Sequence, residues 1–345
     1  MARTLERPQL PALARGFALL GSGGGGTTTM LELMLGRSRG WPIAIAGPEE
    51  LDPTTPCLAA AFVGSTILLG ERLPGDAPFE PLVHAVERWL GIRVPAVCSL
   101  EGGGLNGLVP LTFAPDRIVV DADCTGRAVP GLDQISLFVD RLPGIVAACD
   151  TGAGGAMLVS TDRAIDAERV IRSAIIQAGG AGGAVFAGFT VGDLIEHAIP
   201  GHLDVALRLG SAYLSSAHWP PAALAGALGG RLLGHGRITS VDTDDRDPFV
   251  RTVELAGVNG EVHRIVSRTE TLAFMTDGRL EASAPTVIAL LDAVSREILE
   301  VTDLTLARHI VAIELPGPAW WHASPHRLRR VQPSAYGLTE LDAIT

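Results

Sequence analysis

Five polar side chains in one short stretch have the types and spacing needed for proton transfer. Glu101 and Asn106 stand in a glycine loop, Glu101-Gly102-Gly103-Gly104-Leu105-Asn106, after the apolar Val97-Cys98-Ser99-Leu100. Further on, Asp121, Asp123 and Arg127 follow the apolar run Ile118-Val119-Val120. Carboxylates at the carboxyl end of a buried strand occupy the place where an open α/β sheet holds its ligand. Side chains two apart on a strand share a face, so Asp121 and Asp123 can share a proton or bind a cation. The competing reading is structural: one aspartate caps the turn that follows and the other pairs with Arg127. Glycines permit positive φ and let backbone approach a bound group, which brings Gly103 into the candidate set. Glu101, Asp121 and Asp123 are the catalytic candidates. Asn106, Arg127 and Gly103 are candidates for substrate binding.

A second glycine loop, Gly21-Ser22-Gly23-Gly24-Gly25-Gly26, lies between Phe17-Ala18-Leu19-Leu20 and the helical Thr27 to Leu35. Read as strand, glycine loop and helix, it matches the arrangement that holds anions at a helix N-terminus. The spacing is not that of a phosphate-binding G-x-x-x-x-G-K-[ST] loop, and a tight turn requiring small residues explains it as well. Gly24, Gly25 and Thr27 join the binding candidates, because hydroxyls at a helix start cap the helix or touch a ligand.

The elements that position these loops follow from apolar periodicity. Strands are expected at Trp41 to Ala46, within Cys57 to Leu69 (interrupted at Gly64-Ser65-Thr66), and at Ile92 to Leu100, Ile118 to Val120, Ile145 to Ala148 and Ala156 to Val159. Leu132 to Phe138 is a strand or a helix edge. Helices are expected at Pro78 to Leu90, from Asp162 to Gln177 with Thr161 as N-cap, at Val191 to Ala198 and at Leu203 to Leu214. This alternation implies a layered α/β domain with a mainly parallel sheet over residues 1–225. Beyond Pro220-Pro221 the character changes to short β segments with a hairpin signal at Val258-Asn259-Gly260. Residues 226–345 are expected to form a smaller β-rich domain, barrel- or sandwich-like.

Composition narrows the class. The chain has 345 residues, 47% hydrophobic and 19% charged, as in soluble globular proteins. Its net charge is −11, and all 27 of its Lys+Arg residues are arginine. An acidic balance without a basic stripe excludes nucleic acid as the expected partner. The absence of lysine removes Schiff-base chemistry. No apolar run reaches the length of a membrane helix, and the N-terminus has no signal-peptide pattern, so a cytoplasmic protein is expected. Cys57, Cys98, Cys124 and Cys149 are too scattered for a zinc knuckle or a disulfide framework, and Cys124 reads as a small buried hydrophobe rather than a nucleophile. A divalent metal on the carboxylates with His197 and His202 is compatible with the residue types, although the histidines lack helical ligand spacing.

The order E-x-G-G-x-N, then D-A-D-x-x-G-R-A-x-P, resembles the DUF917 family of S-methyl-thiohydantoin desulfurase-like proteins. Gly21 to Gly26, Gly64-Ser65 with Glu71-Arg72-Leu73-Pro74-Gly75, and Gly188-Phe189-Thr190-Val191-Gly192 resemble further landmarks in the same order. Ala284 to Ile288 and Pro333 to Gly337 are weaker echoes. The chain departs from the pattern at Arg268-Thr269-Glu270-Thr271-Leu272, where the family shows N-E-N-L, and at Pro285-Thr286-Val287-Ile288, which lacks an aspartate. The resemblance implies hydrolytic loss of a sulfur substituent from a hydantoin- or thiohydantoin-like ring. A carboxylate would act as base, while Asn106 and Arg127 bind a ring carbonyl or a substrate carboxylate. Asp123→Asn is then expected to abolish turnover. Alternative readings are a non-catalytic partner of a hydantoinase/oxoprolinase-like protein and an anion-binding module built on the first glycine loop. A homo-oligomer is expected in either case.

Overall fold

Apolar strands alternating with helices build the first layer of this computed structural model, which describes residues 3–71, 75, 77–245 and 247–343. Residues 72–74 of the expected loop at Glu71 to Gly75 lie outside the described residues. Nine strands form the first sheet: β1 (Arg3–Leu5), β2 (Ile43–Ala46), β3 (Pro56–Gly64), β4 (Ala96–Ser99), β5 (Ile118–Asp123), β6 (Val146–Asp150), β7 (Ala156–Ser160), β8 (Ala181–Thr190) and β9 (Ile199–Pro200). Their order is β1-β2-β5-β4-β3-β8-β6-β7, with β9 on β5. The centre, β2-β5-β4-β3, is parallel, and antiparallel strands extend it on both sides. A strand covered on both faces needs no alternation, and Cys57 to Phe62 of β3 are all buried.

Helices α1 (Leu10–Leu20), α2 (Thr29–Arg37), α3 (Thr66–Glu71), α4 (Glu80–Leu90), α5 (Ser136–Val139), α6 (Ala164–Gln177), α7 (Val191–His197), α8 (His202–Ser216) and α9 (Pro221–Ala227) accompany this sheet. Helices α1 and α8 cross through glycines: a Cβ on Gly16 would lie 1.8 Å from the Ala206 carbonyl oxygen, and one on Gly210 would lie 1.7 Å from that of Ala12.

Three local expectations change. Phe17 to Leu20 is the last turn of α1, not a strand; Phe17, Leu19 and Leu20 are buried, and a short apolar run carries no period that separates helix from strand. Leu132 to Phe138 folds as a 3₁₀ turn followed by the single turn of α5. Thr161 is not the N-cap of α6; its hydroxyl accepts from the Arg163 amide at 3.2 Å, and the helix begins at Ala164.

The second sheet is antiparallel throughout. Its strands are β10 (Arg231–Thr243), β11 (Arg251–Gly257), β12 (Val262–Ser267), β13 (Thr271–Thr276), β14 (Arg279–Ser283), β15 (Val287–Asp292), β16 (Ile298–Leu299) and β17 (His309–Leu315), in the order β14-β13-β12-β11-β10-β17-β15-β16. Apolar side chains from all eight strands meet in one core, which includes Ile238, Val253, Ile265, Phe274, Ala282, Leu290, Leu299 and Ile310. Strand alternation supplies a second buried face. Val287, Ala289 and Leu291 of β15, with Val311, Ile313 and Leu315 of β17, join the core of the first layer alongside α1 and α8. Burying these six contributes on the order of 10 kcal/mol before ordering costs, enough to fix one sheet against the other. No helix among the described residues is long and apolar enough to cross a membrane.

Candidate functional site

Between the two sheets lies a cavity of about 580 Å³. The loop after β4 brings Leu100, Glu101, Leu105 and Asn106 to it, the loop after β5 brings Thr125 and Ala128 to Leu132, and the second sheet adds Phe249, Arg251, Arg268 to Glu270 and Glu300. Helix α6 and the end of β3 close the remaining side.

Glu101 is held from both ends. The Ser99 hydroxyl bonds the carbonyl oxygens of Glu101 (2.7 Å) and Asn106 (3.0 Å), which bends the chain as it leaves β4. Asn106 Nδ2 donates to Glu101 Oε2 at 2.8 Å, and the Val129 amide donates to Oε1 at 3.1 Å. Asn106 itself is clamped on β3, accepting from the Phe62 amide at 2.8 Å and donating to the Phe62 carbonyl at 3.0 Å. Glu101 stays partly exposed to the cavity. Burial pushes its pKa up to about 7, against the opposing pull of the Asn106 and Val129 hydrogen bonds.

A second carboxyl comes from the opposite sheet. Glu270 is buried, receives the Thr269 hydroxyl at 2.6 Å and lines the same cavity. Burial raises it to about 7, with the charge of Arg127 opposing and that of Glu101 adding to the rise. Glu300, also on the wall, is raised to about 7 by burial and by Asp303. The sequence reading missed Glu270 and Glu300. The signal in the sequence is the Glu270 position in Arg268-Thr269-Glu270-Thr271-Leu272, which keeps the glutamate of the family's N-E-N-L inside an otherwise altered stretch.

The structure separates the predicted site residues. Glu101, Asn106 and Gly25 line the cavity; Asp121, Asp123, Arg127, Gly24, Gly103 and Thr27 do not. Arg127 is fully buried and donates to three carbonyl oxygens, those of Ala128 (3.0 Å), Thr286 (2.7 Å) and Thr271 (3.2 Å). It ties the loop after β5 to the second sheet and supplies positive charge beneath Glu101 and Glu270. Asp123 follows the structural alternative: its Oδ1 accepts from the amides of Thr125 (2.6 Å) and Gly126 and caps that turn. Asp121 pairs with Arg3 at 3.0 Å rather than with Arg127, accepts from the Leu203 amide at 2.8 Å, and lies 3.2 Å from His202 Nδ1.

The two aspartates do share a face, as their spacing predicts, and His202 is what they share. Burial alone would keep His202 neutral, but Asp121 and Asp123 together raise its pKa. Burial raises Asp123, with His202 and the turn amides opposing. Asp121 goes the other way: the His202 and Leu203 bonds outweigh burial and hold it below its ordinary value.

The first glycine loop is packing rather than a phosphate cradle. A Cβ on Gly24 would lie 2.6 Å from the Thr269 carbonyl oxygen and 2.8 Å from Glu270 Cβ. One on Gly104, whose φ is +58°, would lie 2.3 Å from the Gly25 carbonyl carbon, and one on Gly103 would lie 2.6 Å from the Ala128 amide nitrogen. Three loops therefore stack backbone on backbone, and a carboxyl side chain stands where an anion site would need positive charge. The element before the loop is a helix, and Thr28, not Thr27, occupies the N-cap of α2 without a side-chain cap. Thr27 is exposed and its hydroxyl meets that of Thr29 at 3.0 Å.

His197 pairs with Asp140 at 3.0 Å, on α7 and away from the cavity wall. Among the described residues, no group of three or more His, Cys, Asp or Glu side chains is placed to hold a metal ion. All four cysteines are free and buried. The Cys98 thiol beside Cys124, with burial, pushes the latter's pKa well above the ordinary thiol range, which makes it a poor nucleophile.

Fold and site together define a two-sheet protein whose interlayer cavity is walled by carboxyl groups raised toward neutrality. The chain belongs to the S-Me-THD-like family: the family's N-terminal domain matches residues 8–161 and its C-terminal domain residues 161–345. It is similar to a protein from Chromobacterium violaceum whose X-ray structure came from a structural-genomics consortium. That likeness has 21% identity and a TM-score of 0.81, covering 100% of this chain and 99% of the other, and it supports the fold alone. No curated protein matches the chain.

Proposed function

We propose that the cavity catalyses hydrolytic desulfurisation of a 2-methylthio-imidazolone, the S-methyl form of a thiohydantoin. The observation that carries this reading is a pair of carboxyls, Glu101 and Glu270, raised to about 7 on the walls of one cavity. At neutral pH such a pair holds one proton between two roles, the condition for combined base and acid catalysis. Ionised Glu101 takes a proton from water as its oxygen bonds the ring carbon between the nitrogens. Protonated Glu270 delivers a proton to sulfur as the C–S bond breaks. Methanethiol leaves, the added oxygen gives its remaining proton to the ring nitrogen as the carbonyl forms, and the proton taken by Glu101 replaces the one that Glu270 lost, so one water supplies the oxygen and both protons. Asn106 orients Glu101, and the Arg127 charge beneath limits the cost of the anion. Asp121, Asp123 and His202 brace the loop after β5 without touching the substrate.

The test is methanethiol release from a 2-methylthio-imidazolone. Glu101→Gln is expected to lower kcat by about 10²- to 10⁴-fold with the fold retained. The kcat/KM profile is expected to be bell-shaped around pH 7, since the base is lost below its pKa and the acid above. Wild-type turnover in Glu101→Gln would refute the assignment.

A further inference from the structure

The reacting ring is too small for this cavity. A 2-methylthio-imidazolone has eight heavy atoms; even at the ~30 Å³ that a water molecule takes up, it fills no more than roughly 240 Å³. The cavity holds about 580 Å³, so more than half is left for something else.

The surplus has a chemical character. Past Asn106, the β3 end and helices α3 and α6 line it with Phe62, Val63, Ile67, Ile171, Ile175 and Ile176. The α6 residues follow helical spacing, with Ile171 and Ile175 one turn apart and fully buried. Two charged residues of α6 also line the cavity, as do Arg251 and Arg268 of the second sheet, and all four are engaged elsewhere: Arg251 Nη1 donates to the Val301 carbonyl at 2.7 Å and Arg268 Nε pairs with Asp247 at 3.0 Å. Glu168 and Arg172 pair with each other, while Glu168 Oε2 accepts from the Leu132 amide at 2.8 Å and Arg172 Nη2 donates to the Pro130 carbonyl at 3.1 Å. Ile67 and Ile176 are 58% and 61% exposed, so two apolar side chains stand at the rim of this arm. Water gains few hydrogen bonds on such a wall, whereas an apolar group placed there releases it.

We infer that this arm is a specificity subsite for an apolar, branched or aromatic substituent on the ring carbon opposite the sulfur, so the preferred substrate is a hydrophobic side-chain thiohydantoin rather than one with a short charged arm. The inference rests on the ring reading proposed above. Each methylene buried in the arm is expected to raise kcat/KM by about fourfold, so the isobutyl ring, three carbons larger than the methyl ring, should exceed it by roughly 60-fold and the benzyl ring by at least as much.

The experiment compares methanethiol release from rings bearing methyl, isobutyl, benzyl or propionate arms, in wild type and in Ile67→Asp and Ile176→Asp. Both positions are exposed, so the variants should fold. Neither lies in the proposed catalytic pair. The expected result is an apolar preference in wild type that collapses in the variants, through KM, while the methyl ring is unaffected. Thermal stabilisation by 5-benzylhydantoin is measured in parallel. Turnover with equal or better use of the propionate ring overturns the apolar subsite and leaves the desulfurase reading intact. No turnover of any ring, with 5-benzylhydantoin stabilising wild type but neither variant, overturns the reaction and keeps the subsite. No turnover and no stabilisation overturns both.

Discussion

Replacing Glu270 with glutamine should make the protein more stable at alkaline pH. Glu270 is 2% exposed, and its carboxyl is raised from 4.5 to about 7, chiefly by burial. An acid whose folded pKa is raised stays protonated in the native state after the unfolded chain has ionised. Between pH 4.5 and 7 the unfolded state therefore binds fewer protons, and stability falls as pH rises. The difference is 7 − 4.5 = 2.5 pKa units. At 1.36 kcal/mol per unit this makes about 3 kcal/mol of stability that is present below pH 4.5 and absent above pH 7. Glu270→Gln keeps the shape and an acceptor for the Thr269 hydroxyl but cannot ionise. Urea unfolding of both proteins at pH 5 and pH 8.5 measures the effect. Stabilities should agree within about 1 kcal/mol at pH 5, with the variant ahead by about 2–3 kcal/mol at pH 8.5. An identical pH dependence in the two proteins would refute the claim that Glu270 is held neutral, and with it the acid role.

Other consequences are equally specific. Arg127→Met strands the carbonyls of Ala128 and Thr286 and leaves that of Thr271 only the Ser22 hydroxyl at 3.4 Å, so urea unfolding should show a loss of about 2 kcal/mol or more, at about 1–3 kcal/mol per orphaned buried group; a neutral result would mean that Arg127 is not a strut. Asp123→Asn keeps one oxygen for the Thr125 and Gly126 amides and should fold, at about 1–2 kcal/mol below wild type. It should lower kcat more than it raises KM, because Asp123 packs against Gly102 behind Glu101; unaltered kcat would exclude that support. His202 is raised by its aspartates, so its contribution is complete below the unfolded value near 6.5 and disappears as pH rises through the folded value. His202→Gln should therefore lose stability at pH 5.5 and little at high pH by the same unfolding measurement. Gly104→Ala, at φ +58° and with a backbone carbon 2.3 Å away, should displace the Glu101 loop and depress both stability and turnover.

Much of this protein is legible in the chain because some physical signals are local. Unbroken apolar runs such as Cys57 to Phe62 announce strands buried on both faces. The hairpin at Val258-Asn259-Gly260 appears as the turn between β11 and β12. Glu101 and Asn106 are legible because five residues on one glycine loop keep a carboxylate and its orienting amide together. The two-residue spacing of Asp121 and Asp123 predicted their shared face, but not His202, which arrives on that face from α8, a different element. Glu270 could not be assigned from sequence by the same route. It becomes a titrating group only because β13 begins against the first glycine loop, and burial there costs its anion the water that an exposed glutamate keeps. Arg127 shows the converse: its type suggests a substrate clamp, yet the packing of one sheet on the other surrounds it with three carbonyls and takes it out of contact with solvent. Residue type and spacing thus determined many of the strands and loops, but not β8, which lies in a stretch read only as glycine-rich, nor the helical end of α1 at Phe17 to Leu20. The long-range meeting of two sheets decided which carboxyls face the cavity, because desolvation depends on neighbours that the chain brings in from far along its length.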